Sequence, residues 1–256
     1  LGAVGYASVN LDFFGLGADP GEDRSTDLNF EGAFIIQEIK FQLGKSNWIL
    51  GADYNFARID TTLDLGFPIL PPFRTADQSS GLGVLASYDT RDNHFTPTNG
   101  TDALLGFRYY AEALGSDNDY YTGRAQYRTW LPIGDKVVLG LRGDAAGASD
   151  ETPLYNLPFI QLRGVPAFRY VDQYAFTLEV EPRIQITDRW GVVVFGGVGR
   201  TAGTLSDLSE SDTVYSVGAG FRYFLARKYG IHAGVDVAYS DDDFAFYITV
   251  GSAWLR

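Results

Sequence analysis

The segment 174–186 (YAFTLEVEPRIQI) alternates apolar and polar side chains with a period of two. Its apolar set is Tyr174, Phe176, Leu178, Val180, Ile184 and Ile186, and its polar set is Thr177, Glu179, Glu181, Arg183 and Gln185. Because successive side chains of a β-strand point to opposite faces, this period predicts a strand with one apolar face and one charged face.

The same period recurs along the chain and predicts twelve strands. In the segment 244–255 (FAFYITVGSAWL) it places Phe244, Phe246, Ile248, Val250 and Trp254 on one face. The predicted strands are 2–14, 28–43, 47–60, 80–90, 101–113, 120–132, 136–146, 173–187, 190–198, 213–225, 230–239 and 244–255. Most reach the roughly 9 to 11 residues that cross a bilayer at a tilt, whereas strands of soluble domains average about 5 to 6 residues.

The composition favours membrane strands over membrane helices. Aromatic residues make up 15% of the 256 residues, 30 residues are glycine, and the mean hydropathy is -0.08. No run of about 18 apolar residues occurs, so the sequence predicts no helical membrane span. A soluble β-sandwich would show the same alternation, but the strand lengths, the aromatic content and the arrangement of turns favour a barrel.

Short and long connections alternate between the predicted strands. Tight turns are predicted at 44–46, 134–135, 188–189 and 227–228, and long polar loops at 15–27, 61–79, 147–172 and 199–212. Outer-membrane barrels have short periplasmic turns and longer external loops. The connection 91–99 is an exception, because it is long and falls on the short-turn side. We therefore predict an all-β fold, an antiparallel transmembrane β-barrel that occupies residues 1–256 as one domain.

The charged face of the strands is predicted to line the barrel interior, because a charge that faces the bilayer midplane costs roughly 2 to 4 kcal/mol. The residues predicted to face inward are Glu179, Glu181, Arg183, Arg222 and Asp236. Aromatic residues near strand ends are predicted to form a girdle at headgroup level. These residues are Trp48, Tyr109, Tyr121, Tyr174, Trp190, Tyr239 and Trp254.

Composition and charge exclude several kinds of site. The chain has no cysteine, hence no disulfide or thiolate metal site, and its net charge of -12 argues against nucleic acid as a partner. Acidic residues cluster in the long loops: Asp19, Glu22, Asp23, Asp207, Glu210, Asp212, Asp241, Asp242 and Asp243. They are interpreted as solvated loop residues, with recruitment of divalent cations near lipopolysaccharide as the alternative. No spacing matches a calcium loop, and neither a metal site nor a cofactor is predicted.

The two histidines do not suggest an enzyme. His94 lies in a predicted turn on the short-turn side, and His232 lies on the strand face opposite Ile231 and Ala233, which points it into the lumen. Some twelve-stranded outer-membrane barrels are lipases that use a serine and a histidine, so a hydrolase is an alternative. Neither histidine belongs to a recognisable pair of nucleophile and base, and no catalytic residue is predicted.

Three parts of the chain resemble the surface-antigen-type barrels of the BamA/TamA family of outer-membrane proteins. Residues 88–100 (YDTRDNHFTPTNG) resemble the family's turn motif YDTRDNxFxPxxG, with Asp89, Arg91, Asp92, Asn93, Pro97 and Gly100 at its fixed positions. Residues 161–170 (QLRGVPAFRY) resemble the Arg-Gly-aromatic motif at the tip of the family's inward-folding external loop. Residues 181–200 (EPRIQITDRWGVVVFGGVGR) and 217–223 (VGAGFRY) are similar to the strands after that loop. Val165 replaces the aromatic residue, which resembles a branch of the family without periplasmic repeat domains.

The resemblance implies that Arg163 enters the lumen and pairs with an acidic residue of the following strand. Glu181 aligns best as the partner, and Glu179 is its neighbour. A guanidinium that loses water needs a carboxylate, and its fork can bind one through two hydrogen bonds. Gly164 would allow a sharp backbone turn at the loop tip. The remaining residues of this loop-tip motif are Pro166, Phe168, Arg169 and Tyr170. A surface arginine on a solvated loop is the alternative.

The resemblance also implies a size and a function. The family barrel has sixteen strands, so four strands are expected before residue 1, unless this is a smaller barrel; the sequence begins at Leu1 and contains no methionine, as a processed or truncated product would. The implied function is insertion of membrane proteins or transport across the outer membrane of a Gram-negative-type bacterium. The implied partners are the lipid bilayer, lipopolysaccharide and client outer-membrane proteins. A passive channel, or a structural barrel plugged by its long loop, is the alternative function. The sequence does not determine whether the protein forms a homo-oligomer.

Overall fold

A computed structural model of the chain describes residues 1–17, 25–64, 71–240 and 243–254, and all twelve predicted strands are present. The strands are β1 (Gly2–Phe13), β2 (Thr26–Gln42), β3 (Trp48–Asp64), β4 (Phe73–Asp89), β5 (Gly100–Tyr110), β6 (Tyr120–Ile133), β7 (Val137–Ala148), β8 (Tyr174–Gln185), β9 (Trp190–Ala202), β10 (Val214–Ala226), β11 (Ile231–Ser240) and β12 (Asp243–Val250). Short 3-10 helices lie in the connections at Glu112–Leu114, Leu154–Asn156, Asp207–Ser209 and Arg227–Tyr229. Within the described residues, no helix is both long enough and apolar enough to cross a membrane.

Each strand pairs antiparallel with its sequence neighbours, so that the strands form one twelve-stranded sheet in chain order. The sheet curls into a barrel wall, because residues of distant strands meet across its interior. The ring centroid of Trp130 in β6, for example, lies 5.9 Å from that of Trp254, which follows β12. The all-β, antiparallel barrel predicted from the period of the sequence is confirmed.

The distribution of side chains is the reverse of that in a soluble protein. In β8, Leu178 and Val180 are 62% and 41% exposed on the outer face, whereas Glu179 and Glu181 are 4% and 1% exposed on the inner face. Arg222 and Asp236 are likewise buried inside, and the side chain of Arg183 is 12% exposed. An apolar outer face suits lipid, and the charges that a bilayer would exclude lie in the lumen.

The predicted girdle residues are on the outer face with one exception. Trp48, Tyr109, Tyr121, Trp190 and Tyr239 are exposed, and Tyr174 is half-buried. Their position at headgroup level stays a prediction. Trp254 was assigned to the wrong face, since it is 4% exposed and lies inside the barrel.

Three strand boundaries differ clearly from the prediction. β4 begins at Phe73 rather than at residue 80, and β3 continues to Asp64, so residues 61–64 and 73–79 of the predicted loop 61–79 belong to strands. The segment 73–79 (FRTADQS) is polar on both faces and gives no alternating signal, yet it pairs with β3 in the regular register Leu63↔Phe73 to Ala57↔Ser79. β12 ends at Val250 rather than at residue 255, because Gly251 adopts a φ of +88° and turns the chain inward.

The apolar core of the barrel lies between its wall and the long connection 149–173. One cluster joins Ile160, Leu162, Val165 and Tyr170 of this connection to Val214 of β10. A second cluster joins Phe168 and Val171 of the connection to Leu28 and Phe30 of β2. The connection is therefore packed inside the barrel, where it positions the residues described next.

Candidate functional site in the barrel lumen

Arg163 lies at the deepest point of the long loop and is 9% exposed. Its Nε donates a hydrogen bond to Oε1 of Glu179 at 3.0 Å, and its Nη2 contacts the same oxygen. Nη2 also lies 2.6 Å from Oε2 of Glu181. The structure thus brings Arg163 to both carboxylates of β8 that the family resemblance indicated.

A third carboxylate, which the sequence analysis did not assign to Arg163, completes this arrangement. Nη1 of Arg163 donates to Oδ2 of Asp236 in β11 at 3.2 Å. The guanidinium also stacks 3.4 Å above the ring centroid of Phe195 in β9, and Ser216 in β10 donates to the carbonyl of Arg163. One loop residue therefore connects β8, β9, β10 and β11, and a planar fork with five donors is suited to this task.

The carboxylates around Arg163 belong to a wider network of buried charges. Arg222 binds Asp236 with Nη2 to Oδ2 at 2.9 Å and with a second contact through Nη1. Arg142 pairs with Asp144 and lies 3.6 Å from Oε2 of Glu179. Taking ions out of water costs several kcal/mol each, so such a network is stable when its members neutralise one another. Arg163 is consequently part of the charge balance in the lumen. Its removal would leave excess negative charge there.

Gly164 allows the loop tip to lie flat against the barrel wall. Its φ is +92°, a conformation that side chains with a Cβ disfavour. Its N–H donates to the hydroxyl of Tyr247 in β12 at 2.9 Å. A Cβ at this position would lie 3.2 Å from Cβ of Ala238 in β11. Backbone conformation and close packing both favour glycine here.

The remaining residues of the loop-tip motif carry the chain back to the long-loop end. Pro166 is exposed, and Phe168 is buried against Phe30, with ring centroids 5.5 Å apart. The guanidinium of Arg169 lies 4.7 Å above the ring centroid of Phe14, and Tyr170 is buried. Phe168 has a φ of +62°, which is unusual for a residue with a side chain and is held here by its packing.

Trp254 enters the same site from the chain segment after β12. Its Nε1 donates to Oε1 of Glu179 at 3.0 Å. Its ring fills the space above Gly140 in β7, where a Cβ would come within 2.8 Å of it. Strict alternation along β12 gave no sign of this position. Gly251 was the available signal, since a glycine near the end of an apolar strand often marks a bend.

The turn motif before β5 is held by its two aspartates. Arg91 donates two hydrogen bonds to the carboxylate of Asp89, from Nε at 3.0 Å and from Nη2 at 2.6 Å. Asp92 accepts the N–H groups of Thr98 at 2.9 Å and Asn99 at 3.1 Å. Burial opposes ionisation of Asp92, but the hydroxyl of Thr98 and these backbone donors outweigh it and lower its pKa below the usual value.

The other residues of the turn motif fold the connection 90–99 under the barrel. Asn93 donates to the carbonyl of Tyr229 at 2.9 Å, which ties this turn to the one between β10 and β11. Pro97 is fully buried, and its carbonyl accepts a hydrogen bond from Arg183. Gly100 has a φ of +106°. The connection 90–99, which is long although it lies on the short-turn side, thus lies across the short-turn end of the lumen.

His94 and the acidic loop residues lie apart from the buried charges, whereas His232 lines a cavity together with Arg183 and Arg222. His94 is 74% exposed, and His232 stacks on Phe224 with ring centroids 4.4 Å apart. Asp207, Glu210 and Asp212 line a surface cavity with Asp172, whose pKa is raised by its burial and by Asp207.

The other predicted acidic loop residues are outside the detailed structure. Asp19, Glu22, Asp23, Asp241 and Asp242 lie beyond the described residues, and for Asp243 the backbone alone is described. In the described part of the chain, no three His, Cys, Asp or Glu side chains are arranged to hold a metal ion.

Comparison with known proteins agrees with this architecture. The Omp85 superfamily domain matches residues 72–161, which run from β4 to the loop before Arg163. The fold is similar to the crystal structure of BamA from Haemophilus ducreyi lacking POTRA domains 1-3, with a TM-score of 0.68 and 15% sequence identity over 98% of this chain and 58% of that one. The chain therefore spans less than two thirds of that BamA structure, and no curated protein matches it. The chain therefore has a barrel fold similar to that of BamA, and its residues 72–161 match the Omp85 superfamily domain.

Proposed function

We propose that this protein acts in the insertion of other proteins into the outer membrane, or in their transport across it. The observation that carries the proposal is the long loop, which packs inside the barrel and is anchored by Arg163 to Glu179, Glu181 and Asp236. A barrel that conducts solutes needs an open lumen, whereas here charged and apolar contacts occupy it. The likeness to a BamA barrel supports the same conclusion.

The surface of the barrel supports a location in the outer membrane of a Gram-negative-type bacterium. Its outer face carries large exposed apolar side chains such as Leu82, Leu105 and Phe246. Such residues require lipid as a partner, because a soluble protein does not expose contiguous apolar surface on this scale. The proposed partners are therefore the bilayer with its lipopolysaccharide, and client proteins that reach the barrel in an unfolded state.

The test is a reconstitution assay in liposomes of bacterial outer-membrane lipids. An unfolded eight-stranded outer-membrane barrel is added, and its folded fraction is followed over time by its altered migration in unheated gel samples. We expect this protein to raise the folding rate above that of empty liposomes. Liposomes with an equal amount of an unrelated closed barrel control for membrane defects. Equal rates with both barrels would refute a role in insertion.

A passive barrel plugged by its loop is the second candidate, and one observation favours it. Separate cavities of about 590 Å³, 380 Å³ and 200 Å³ lie between the described residues on different parts of the wall. The network around Arg163 fills the space between β8 and β11. A passive barrel would leave the folding rate of the client protein unchanged, and its own conductance would stay low. The folding assay therefore separates the two functions.

A further inference from the structure

A cavity of about 380 Å³ lies at the short-turn end of the barrel, away from the Arg163 anchor. The turn between β6 and β7 forms one wall with Asp135 and Lys136, and β8 forms another with Arg183. Thr96 of the connection 90–99 and Arg222 of β10 complete it. These four separate parts of the fold thus meet around one space that faces the short-turn side.

The charged groups around this cavity are mostly positive. Lys136, Arg183 and Arg222 line it, with Asp135 as the opposing carboxylate. Arg222 is neutralised by Asp236 behind the wall. Lys136 is exposed at the rim. Three of the side chains that line the cavity are thus cationic and one is anionic, and Glu181 forms an ion pair with Arg183 at 3.8 Å.

Arg183 has unused capacity to bind an anion. Its Nη2 donates to the carbonyl of Pro97, but its buried Nε has no hydrogen-bond partner among the described residues. The nearest carboxylate oxygen, Oε1 of Glu181, lies 3.8 Å from Nε, beyond hydrogen-bonding distance. Because this Nε is buried, a ligand in the cavity reaches it only when the Arg183 side chain shifts, and a donor that gains its missing acceptor in this way is stabilised.

The remaining lining is mixed. Pro132, Val137 and Val138 are apolar, and Thr98, Gln185 and His232 are polar. Its volume is several times the roughly 30 Å³ of a water molecule in the liquid, which leaves room for an anionic group with a substituent attached.

We propose that this cavity binds a phosphate group, with Arg183 as the principal ligand and Lys136 at the entrance. A guanidinium fork is suited to tetrahedral oxyanions, and a lysine at the rim adds a flexible second charge. The phosphate belongs either to a lipid headgroup of the inner leaflet or to a small phosphate ester in solution. The site does not depend on the function proposed above, since it uses none of the residues that anchor the loop.

The first arm of the test uses inorganic phosphate as the probe. Binding to the detergent-solubilised protein is measured by titration calorimetry at constant ionic strength. We expect saturable binding that weakens at least tenfold in Arg183→Gln and at least threefold in Lys136→Gln. Lys45→Gln is the matched control, because Lys45 is also exposed, lies in the turn between β2 and β3 at the same end, and does not line the cavity. This control should bind like the unsubstituted protein.

The second arm uses phosphatidylglycerol, presented in nanodiscs and counted after delipidation by native mass spectrometry. If the protein retains this lipid, and Lys136→Gln retains less of it while Lys45→Gln does not, the lipid is the source of the phosphate. If inorganic phosphate binds with the same pattern and no lipid is retained, the source is a soluble ester. If Arg183→Gln fails to fold, the two lysine variants decide. The proposal is overturned if neither probe binds, or if both lysine variants behave alike.

Discussion

The indole Nε1 of Trp254 donates a hydrogen bond to Oε1 of Glu179 at 3.0 Å inside the barrel. Arg163 donates to that same oxygen through its Nε, also at 3.0 Å. The chain segment after β12 and the tip of the long loop therefore share one acceptor, although 91 positions separate the two donors in the sequence. A change in either donor therefore alters the hydrogen bonding and the position of the carboxylate that holds the other.

Replacement of Trp254 tests this relationship through stability. Trp254→Phe keeps an aromatic ring but removes the N–H, and we expect it to lower the free energy of unfolding by about 1 kcal/mol. Trp254→Ala also empties the space above Gly140 and should cost about 3 to 5 kcal/mol. Thermal unfolding of the protein in detergent micelles measures both changes. Trp190→Ala, at an exposed tryptophan of the outer face, serves as the control; a loss as large as that of Trp254→Ala would contradict the prediction.

Removal of the Arg163 guanidinium should release the loop from the lumen. In Arg163→Ala, the buried carboxylates of Glu179, Glu181 and Asp236 lose the cation that they share. Breaking a buried ion pair costs about 3 to 5 kcal/mol, and the loop can leave for water instead. We therefore expect the conductance in planar bilayers, low for the unsubstituted protein, to rise severalfold.

Two further variants make the conductance measurement specific. Arg163→Lys keeps one charge but cannot reach three carboxylates as a planar fork does, so its conductance should be intermediate. Arg189→Ala removes an exposed arginine in the turn between β8 and β9 and should leave the conductance low. A large, steady pore in the unsubstituted protein that Arg163→Ala leaves unchanged would show that the loop does not plug the barrel.

The period of the sequence predicted the strands and the inward charges because lipid and lumen impose opposite polarities on alternate residues. Glu179 and Glu181 could be assigned to the lumen by this parity alone. Parity does not say which inward residues of different strands meet at one loop residue. Asp236 was therefore predicted to face inward, but its contact with Arg163 depends on the curvature of the sheet and on the path of the loop.

Trp254 is a residue whose position is predicted wrongly from the alternation of the sequence. Alternation from Phe244 to Val250 holds in the structure, and its continuation would place Trp254 outside. The strand ends at Val250 and the positive φ of Gly251 turns the chain inward, so the alternation of β12 no longer applies at Trp254. The prediction missed the first residues of β4 for a different reason. Polar side chains lie on both faces of this segment, so there is no alternation of polarity to detect.

Gly164 should be sensitive to substitution for two separable reasons. In Gly164→Ala, the backbone strain at a φ of +92° is joined by a contact of 3.2 Å with Cβ of Ala238. Gly134→Ala is a matched control, because Gly134 has a φ of +64° and nothing within 4 Å of its added Cβ. Strain alone costs roughly 1 to 2 kcal/mol. We expect Gly164→Ala to lower the thermal midpoint of unfolding clearly more than Gly134→Ala; equal shifts would mean that the loop tip is not packed against β11.

The turn motif should respond to pH through Asp92. Because hydrogen bonds from Thr98 and Asn99 lower the pKa of Asp92 in the folded protein, its ionised form is favoured by folding. Its contribution to stability is therefore present above the unfolded pKa of about 3.9 and is lost as the pH falls from there through the lower folded value. The amide proton shifts of Thr98 and Asn99, followed by NMR, should titrate with a midpoint below about 3.9.

Substitution of the carboxyl distinguishes this titration from other acid effects. Asp92→Asn keeps an oxygen that can accept the same N–H groups but removes the charge, so the two amide shifts should lose this pH dependence. Asp188→Asn, in the exposed turn between β8 and β9, should leave it intact. A midpoint at or above the unfolded value would show that the hydrogen bonds fail to offset the burial of Asp92. The turn would then owe its shape to the Asp89–Arg91 pair and to Gly100 instead.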